Sequence, residues 1–148
     1  MAGTKIGGYV ARLKGSEKRP AVICHPREPR PQPHIRDVAR RLAVESFLAF
    51  AVDAPSPLGG TRADEDKARE MIGTLDRTDT LARVAGAVPF LAGHAESNGK
   101  GGAVGFCWGG AMANRLAAAG TSLAASVAYY GMPLPAEEVA FLEKHLGA

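Results

Sequence analysis

The hexapeptide Gly105-Phe106-Cys107-Trp108-Gly109-Gly110 sets a thiol between glycines two positions to either side. An apolar run, Ala103 to Phe106, precedes it and reads as a buried strand; Ala111 to Ala119 follows and reads as a helix. Strand, Gly-x-nucleophile-x-Gly, helix is the pattern of a nucleophile elbow, with cysteine where serine is commoner. Such a turn is sharp and strained, so the residues two away on either side must be small. Gly105 and Gly109 meet that demand, and Gly110 lets the helix begin close against the strand. A sulfur held there faces free N–H groups and the positive end of a helix dipole, which favour thiolate. The chemistry this points to is nucleophilic attack by a thiolate. Packing is the plainer account, since free cysteine is often buried and Gly-rich strand-to-helix turns also cradle phosphate. A Walker loop would need Gly-Lys-Ser/Thr at the helix start, and a dinucleotide fold would need G-x-G-x-x-G; neither is present.

The elements that must hold this turn are legible as apolar runs separated by helical stretches. Ile6 to Leu13 alternates loosely as a strand, weakened by Gly7-Gly8. Pro20 to His25 and Phe47 to Val52 are continuous apolar runs, as strands buried on both faces require. Between them, Pro26, Pro29, Pro31 and Pro33 define a stiff loop, and His34 to Ser46 is amphipathic at helical spacing. Strand, helix, strand within one short span predicts a βαβ unit and a parallel sheet. Two more helices are expected over Arg62–Leu75 and Thr78–Gly93, the second disturbed at Pro89, followed by a turn at Ser97–Gly102. Leu123 to Tyr130 reads as a further strand and Glu137 to Leu146 as a terminal helix. The fold class expected is α/β with an open, mostly parallel sheet. Ligands in such sheets bind at the carboxyl ends of the strands, where Cys107, the His25 loop, the Asp53 loop and Gly131 all fall.

Composition bounds the rest. A chain of 148 residues, 46% hydrophobic and 22% charged, supports one domain with a real core. The net charge of +3 is spread among interleaved acids and bases, with no basic block of the kind nucleic acid needs. No window is long enough to span a bilayer, the first residues carry no apolar leader, and two cysteines make no disulfide framework. These features lead to the expectation of a cytoplasmic protein with no membrane, nucleic-acid, metal or cofactor dependence.

The combined motifs resemble the dienelactone hydrolase family, a branch of the α/β-hydrolases. The likeness rests on His34 to Ala43, Val52-Asp53, Ser97-Asn98-Gly99-Lys100, the hexapeptide around Cys107, and Tyr129-Tyr130-Gly131, and it covers the chain to about Pro135. It implies a three-layer α/β-hydrolase-like fold and a carboxymethylenebutenolidase-type activity: opening of a small enol-lactone or ester through an acyl-thioester on Cys107. The family's type reaction converts dienelactone to maleylacetate. The backbone N–H of Trp108 is then one oxyanion donor, and the loop after His25 supplies the second. Pro26 has no N–H, so that donor falls to Arg27 or Glu28, with Arg27 the first position able to give it.

Two departures from the family follow. The family carries a glutamate next to the position of His25 that interacts with the thiol; here Pro26 stands there, the loop is one residue longer, and Glu28 comes two positions later. The family's Asp and His lie beyond the Tyr-Tyr-Gly strand, so the single domain, residues 1–148, is expected to be incomplete after about residue 135, with a sheet edge uncovered and turnover impaired. Glu28 and His25 are the candidates to partner the thiol, against a solvated loop carboxylate and a packed core histidine. Arg62, Arg69 and Tyr130 are candidates for binding substrate, against surface charge and aromatic packing. Two non-hydrolytic readings stand beside this one: a degenerate fragment that binds a small molecule or self-associates through the uncovered edge, and a redox-sensing thiol at Cys107.

Overall fold

In the computed structural model the described residues are 6–26, 33–60 and 64–140, without the side chains at 65, 68, 69, 72 and 77. Strands β1 (Gly7–Ala11), β2 (Arg19–His25), β3 (Leu48–Asp53), β4 (Ser97–Phe106) and β5 (Ala125–Tyr129) form one sheet in the order β1-β3-β2-β4-β5. β1 runs antiparallel to β3, and the other three pairings are parallel. The parallel sheet expected from the apolar runs is therefore present, with one antiparallel strand at its edge. β1 starts at its weak end because Gly8 is a steric requirement: a Cβ there would lie 2.5 Å from the Ala51 carbonyl oxygen and the Phe50 ring.

Helix α1 (Pro33–Val44) joins β2 to β3, with proline at its first position, where the missing N–H costs nothing. Its apolar stripe buries Ile35, Ala39 and Ala43 against Cys24, Ala49 and Ala51 on one sheet face. Its end is a Schellman turn: the Phe47 N–H donates to Leu42 O, the Ser46 N–H donates to Ala43 O, and Ser46 sits at φ 68°. β3 leads through a 3₁₀ turn (Ser56–Leu58) to α2 (Glu65–Gly73) and α3 (Arg77–Ala92). Asp64 caps α2 by accepting from the Lys67 N–H, and Asp76 caps α3 by accepting from the Asp79 N–H. α3 runs through Pro89 to Ala92, since a proline in the last turn forfeits only one helical hydrogen bond. Val84, Val88 and Leu91 of α3, with Ala113 and Leu116 of α4 (Trp108–Ala118), cover the opposite sheet face at Ala21, Ile23, Phe50, Val52 and Ala103. Helix, sheet and helices make three layers.

Two expectations change. Ser97–Gly102 is the first half of β4 rather than a free turn. The turn chemistry is nevertheless there: Ser97 Oγ accepts from the Gly99 N–H and Asn98 Oδ1 from the Lys100 N–H, with Gly99 at φ 86°. The strand absorbs it as a bulge, pairing Arg19 with Ser97 and then Ala21 with Gly101. At the other end, helical structure covers residues 136–140, and the rest of the expected terminal helix, with His145, lies outside the described residues.

Candidate active site

β2 is the pivot of the topology. The chain leaves it toward β3 on one side and returns to it through β4 on the other, so the crevice between the carboxyl ends of β2 and β4 is a topological switch point. His25 ends β2 opposite Gly105, and Cys107 follows the end of β4.

Cys107 adopts φ 52° and ψ −113°, a conformation rarely available to a residue with a side chain. It is over-determined by its surroundings. Its N–H donates to Tyr129 O at 2.9 Å, tying the turn to β5, and its own carbonyl accepts from the Ala111 N–H at 3.0 Å, opening α4. The glycines flanking it are there for room. A side chain at Gly105 would run into the Gly109 carbonyl, and one at Gly109 would lie 2.7 Å from His25 Cβ and 2.5 Å from the Pro26 oxygen. Gly131 is equally constrained, since a Cβ there would lie 2.5 Å from the Gly110 carbonyl carbon. The thiol of Cys107 is exposed at the amino end of α4.

His25 is fully buried. Residues two apart share a sheet face, so its ring lies on the side of Ala21 and Ile23, beneath the first turn of α4. Burial pushes the imidazole down to about 4, which keeps it neutral at pH 7. Neither ring nitrogen has a hydrogen-bond partner among the described residues, Cys107 included. Cys24, the residue before it, faces α1 in the core, and burial pushes its thiol up to about 12. Asp53 ends β3 with a carboxylate oxygen beside Gly60 in the loop that follows.

Trp108 is half-buried, its ring packed against the core under α3 and α4. Tyr130, exposed and at φ 41°, lies beside Cys107 on the neighbouring strand end, its ring 6.4 Å from that of Phe106. Phe106 and Tyr129 stack at 4.9 Å. Arg27, Glu28 and Arg62 lie outside the described residues, as does the side chain of Arg69 on α2. The structure thus brings Cys107, Trp108, His25 and Tyr130 to one end of the sheet. Sequence reasoning missed the Tyr129 carbonyl as the acceptor that fixes the turn, because a backbone contact between residues 22 positions apart leaves no residue-type signal. Among the described residues no group of three His, Cys, Asp or Glu could hold a metal ion, and no helix is long and apolar enough to cross a membrane.

An apolar groove of about 370 Å³ opens on the α1 face of the sheet, lined by Val22, Leu42, Phe47, Val104, Val127 and Tyr129. β5 borders it as the last strand of the sheet, with Val127 and Tyr129 about half exposed.

The comparisons with known proteins bear on the fold and the family. The chain is 35% identical over 126 residues to a Bradyrhizobium protein described as a probable 2-oxo-3-(5-oxofuran-2-ylidene)propanoate lactonase, covering 84% of this chain and 50% of that one. It is 37% identical over 76 residues to YghX of Escherichia coli (strain K12), described as a hydrolase fragment, covering 51% of this chain and 65% of that one. A solved dienelactone-hydrolase-like promiscuous phosphotriesterase from metagenomic libraries superposes with a TM-score of 0.68 at 30% identity, over 87% of this chain and 55% of that one. The chain spans 65% of YghX and about half or less of the other curated relatives it matches. The model of the dienelactone hydrolase family matches residues 6–145. With that match, the three-layer sheet and the strained cysteine at the switch point agree: the chain belongs to the dienelactone hydrolase family.

Proposed function

We propose that Cys107 is the nucleophile of an acyl-transfer site for small esters or lactones. The observation that carries this is its backbone, held at φ 52° and ψ −113° between a strand and a helix, with the thiol exposed. The thiolate attacks the carbonyl carbon, and the Trp108 N–H donates to the oxygen that becomes negative. The C–O bond to the leaving group breaks, the alkoxide takes a proton from solvent, and the acyl group remains on Sγ as a thioester. Water then hydrolyses the thioester, returning the thiolate and releasing the acid. The second oxyanion donor is assigned to Arg27, and Arg62, Arg69 and Tyr130 to substrate binding; Tyr130 follows Tyr129, whose carbonyl accepts from the Cys107 N–H. Glu28 is the group assigned to the thiol in place of the family's glutamate; His25, buried and with no hydrogen bond to Cys107, is not in reach of it. With no base hydrogen-bonded to the thiol among the described residues, acylation outruns deacylation, and each chain turns over slowly.

Intact-mass analysis after mixing with a p-nitrophenyl ester tests this directly. The wild-type chain gains one acyl group that persists for minutes, and Cys107→Ala gains none. Folded wild-type protein that stays at its native mass and releases no nitrophenol would sink the proposal.

A second reading has its own support in the half-exposed Val127 and Tyr129 on β5 and the groove beside them. In it the chain acts through self-association along that edge, without turnover.

A further inference from the structure

A fully buried imidazole with two unpaired nitrogens is an exception among native side chains and calls for a physical reason. Its location supplies one. Cβ and the carbonyl oxygen of His25 each lie 2.7 Å from where a Gly109 side chain would begin, so the ring sits directly under the first turn of α4. That turn carries unpaired donors of its own. The N–H of Cys107 is taken by Tyr129 and that of Ala111 by Cys107, which leaves the amides of Trp108, Gly109 and Gly110 without a backbone acceptor among the described residues. The helix end with these orphan donors is thus packed on the residue whose orphan, neutral imidazole is able to accept at one nitrogen and donate at the other.

We propose that His25 is a positioning residue that anchors the first turn of α4 through one buried water, and so fixes where the Trp108 N–H points. This rests on the acyl-transfer reading of Cys107. His25 touches no reacting atom; it acts through the amides of Gly109 and Gly110, leaving that of Trp108 for the oxyanion. Strain makes such an anchor necessary. A turn held at φ 52° relaxes unless its surroundings hold it, and a displacement of about 1 Å in an oxyanion donor is enough to slow acyl transfer about a hundredfold.

A merely structural histidine predicts something different. If the ring only fills space, an apolar ring of similar size serves as well or better, because no buried nitrogen is then left unpaired. The test compares His25→Phe and His25→Asn with wild type by three readouts: thermal unfolding, the rate of acyl adduct formation with a p-nitrophenyl ester, and the rate of alkylation by iodoacetamide. Alkylation reports the thiol but needs no oxyanion donor. The expected result is that His25→Phe folds with stability at or above wild type and alkylates within twofold, yet acylates at least tenfold more slowly. His25→Asn, which keeps a donor and an acceptor, recovers acylation to within about threefold. Should the phenyl ring prevent folding, His25→Leu carries the same comparison. Equal acylation by a folded Phe or Leu variant overturns the inference while leaving Cys107 as nucleophile. Loss of alkylation in parallel with acylation overturns it too, since the thiol itself would then be displaced. A folded wild-type chain that forms no adduct at all overturns the acyl-transfer reading, and this inference with it.

Discussion

The two cysteines show how far environment divides identical side chains. Cys107 stands exposed at a helix amino end, whereas Cys24 is buried under α1 with its thiol pushed up to about 12. Only a thiolate alkylates readily, so iodoacetamide at pH 8 labels Cys107 alone in the native chain and both residues in denaturant, as peptide mapping will show. His25 carries a second expectation. Its pKa is about 6.5 when unfolded and about 4 when folded, so the unfolded chain takes up a proton that the folded chain refuses. The folded state therefore holds its full margin above pH 6.5 and loses on the order of 3 kcal/mol from this group as pH falls from 6.5 to 4. The difference between wild type and His25→Phe in urea midpoint, followed from pH 7 to 4.5, isolates it; a constant difference would contradict it. At this scale the sequence was most legible where chemistry and sterics coincide. Gly105, Cys107 and Gly109 could be read as a strained turn because the turn demands a small residue two positions to either side of the nucleophile. The unpaired state of His25 could not, because it depends on what the ring meets across β4 and α4.

At the scale of elements, the apolar runs located β2, β3 and β4 because strands covered on both faces have no polar alternation to confuse them. Helix α1 was equally clear from Ile35, Val38, Ala39 and Leu42 at helical spacing, and Ile35 and Ala39 are among the residues it buries. The Ser97–Gly102 segment was not, because Asn-Gly turn chemistry and strand pairing coexist there as a bulge, and a local signal cannot reveal a partner strand. The end of α1 offers a specific change. Ser46 occupies the left-handed position of a Schellman turn, where a side chain is disfavoured and glycine is not. Ser46→Gly is expected to stabilise the fold by about 1 kcal/mol, read as a higher urea midpoint with an unchanged slope. A lower midpoint would mean that the serine side chain contributes more than the backbone conformation costs.

For the molecule as a whole, β5 is the element on which the self-association reading turns. Its backbone edge and its half-exposed Val127 and Tyr129 adjoin an apolar groove, the combination that natural sheets cover or blunt with charge. If the chain acts by self-association, sedimentation shows a concentration-dependent dimer at micromolar protein, and Val127→Lys returns it to monomer with the fold intact. A monomer at every concentration removes that reading. The order of the strands also sets an order in time. β1, β3 and β2 pair over short stretches of chain, but β2 joins β4 across a span of about 80 residues, from His25 to Gly105. Closing that long loop is the slow entropic step, and a chain emerging from the ribosome can build the β1-β3-β2 ribbon well before it. The Cys107 turn and the imidazole of His25 therefore come together only when β4 arrives, after the β1-β3-β2 ribbon and not with it.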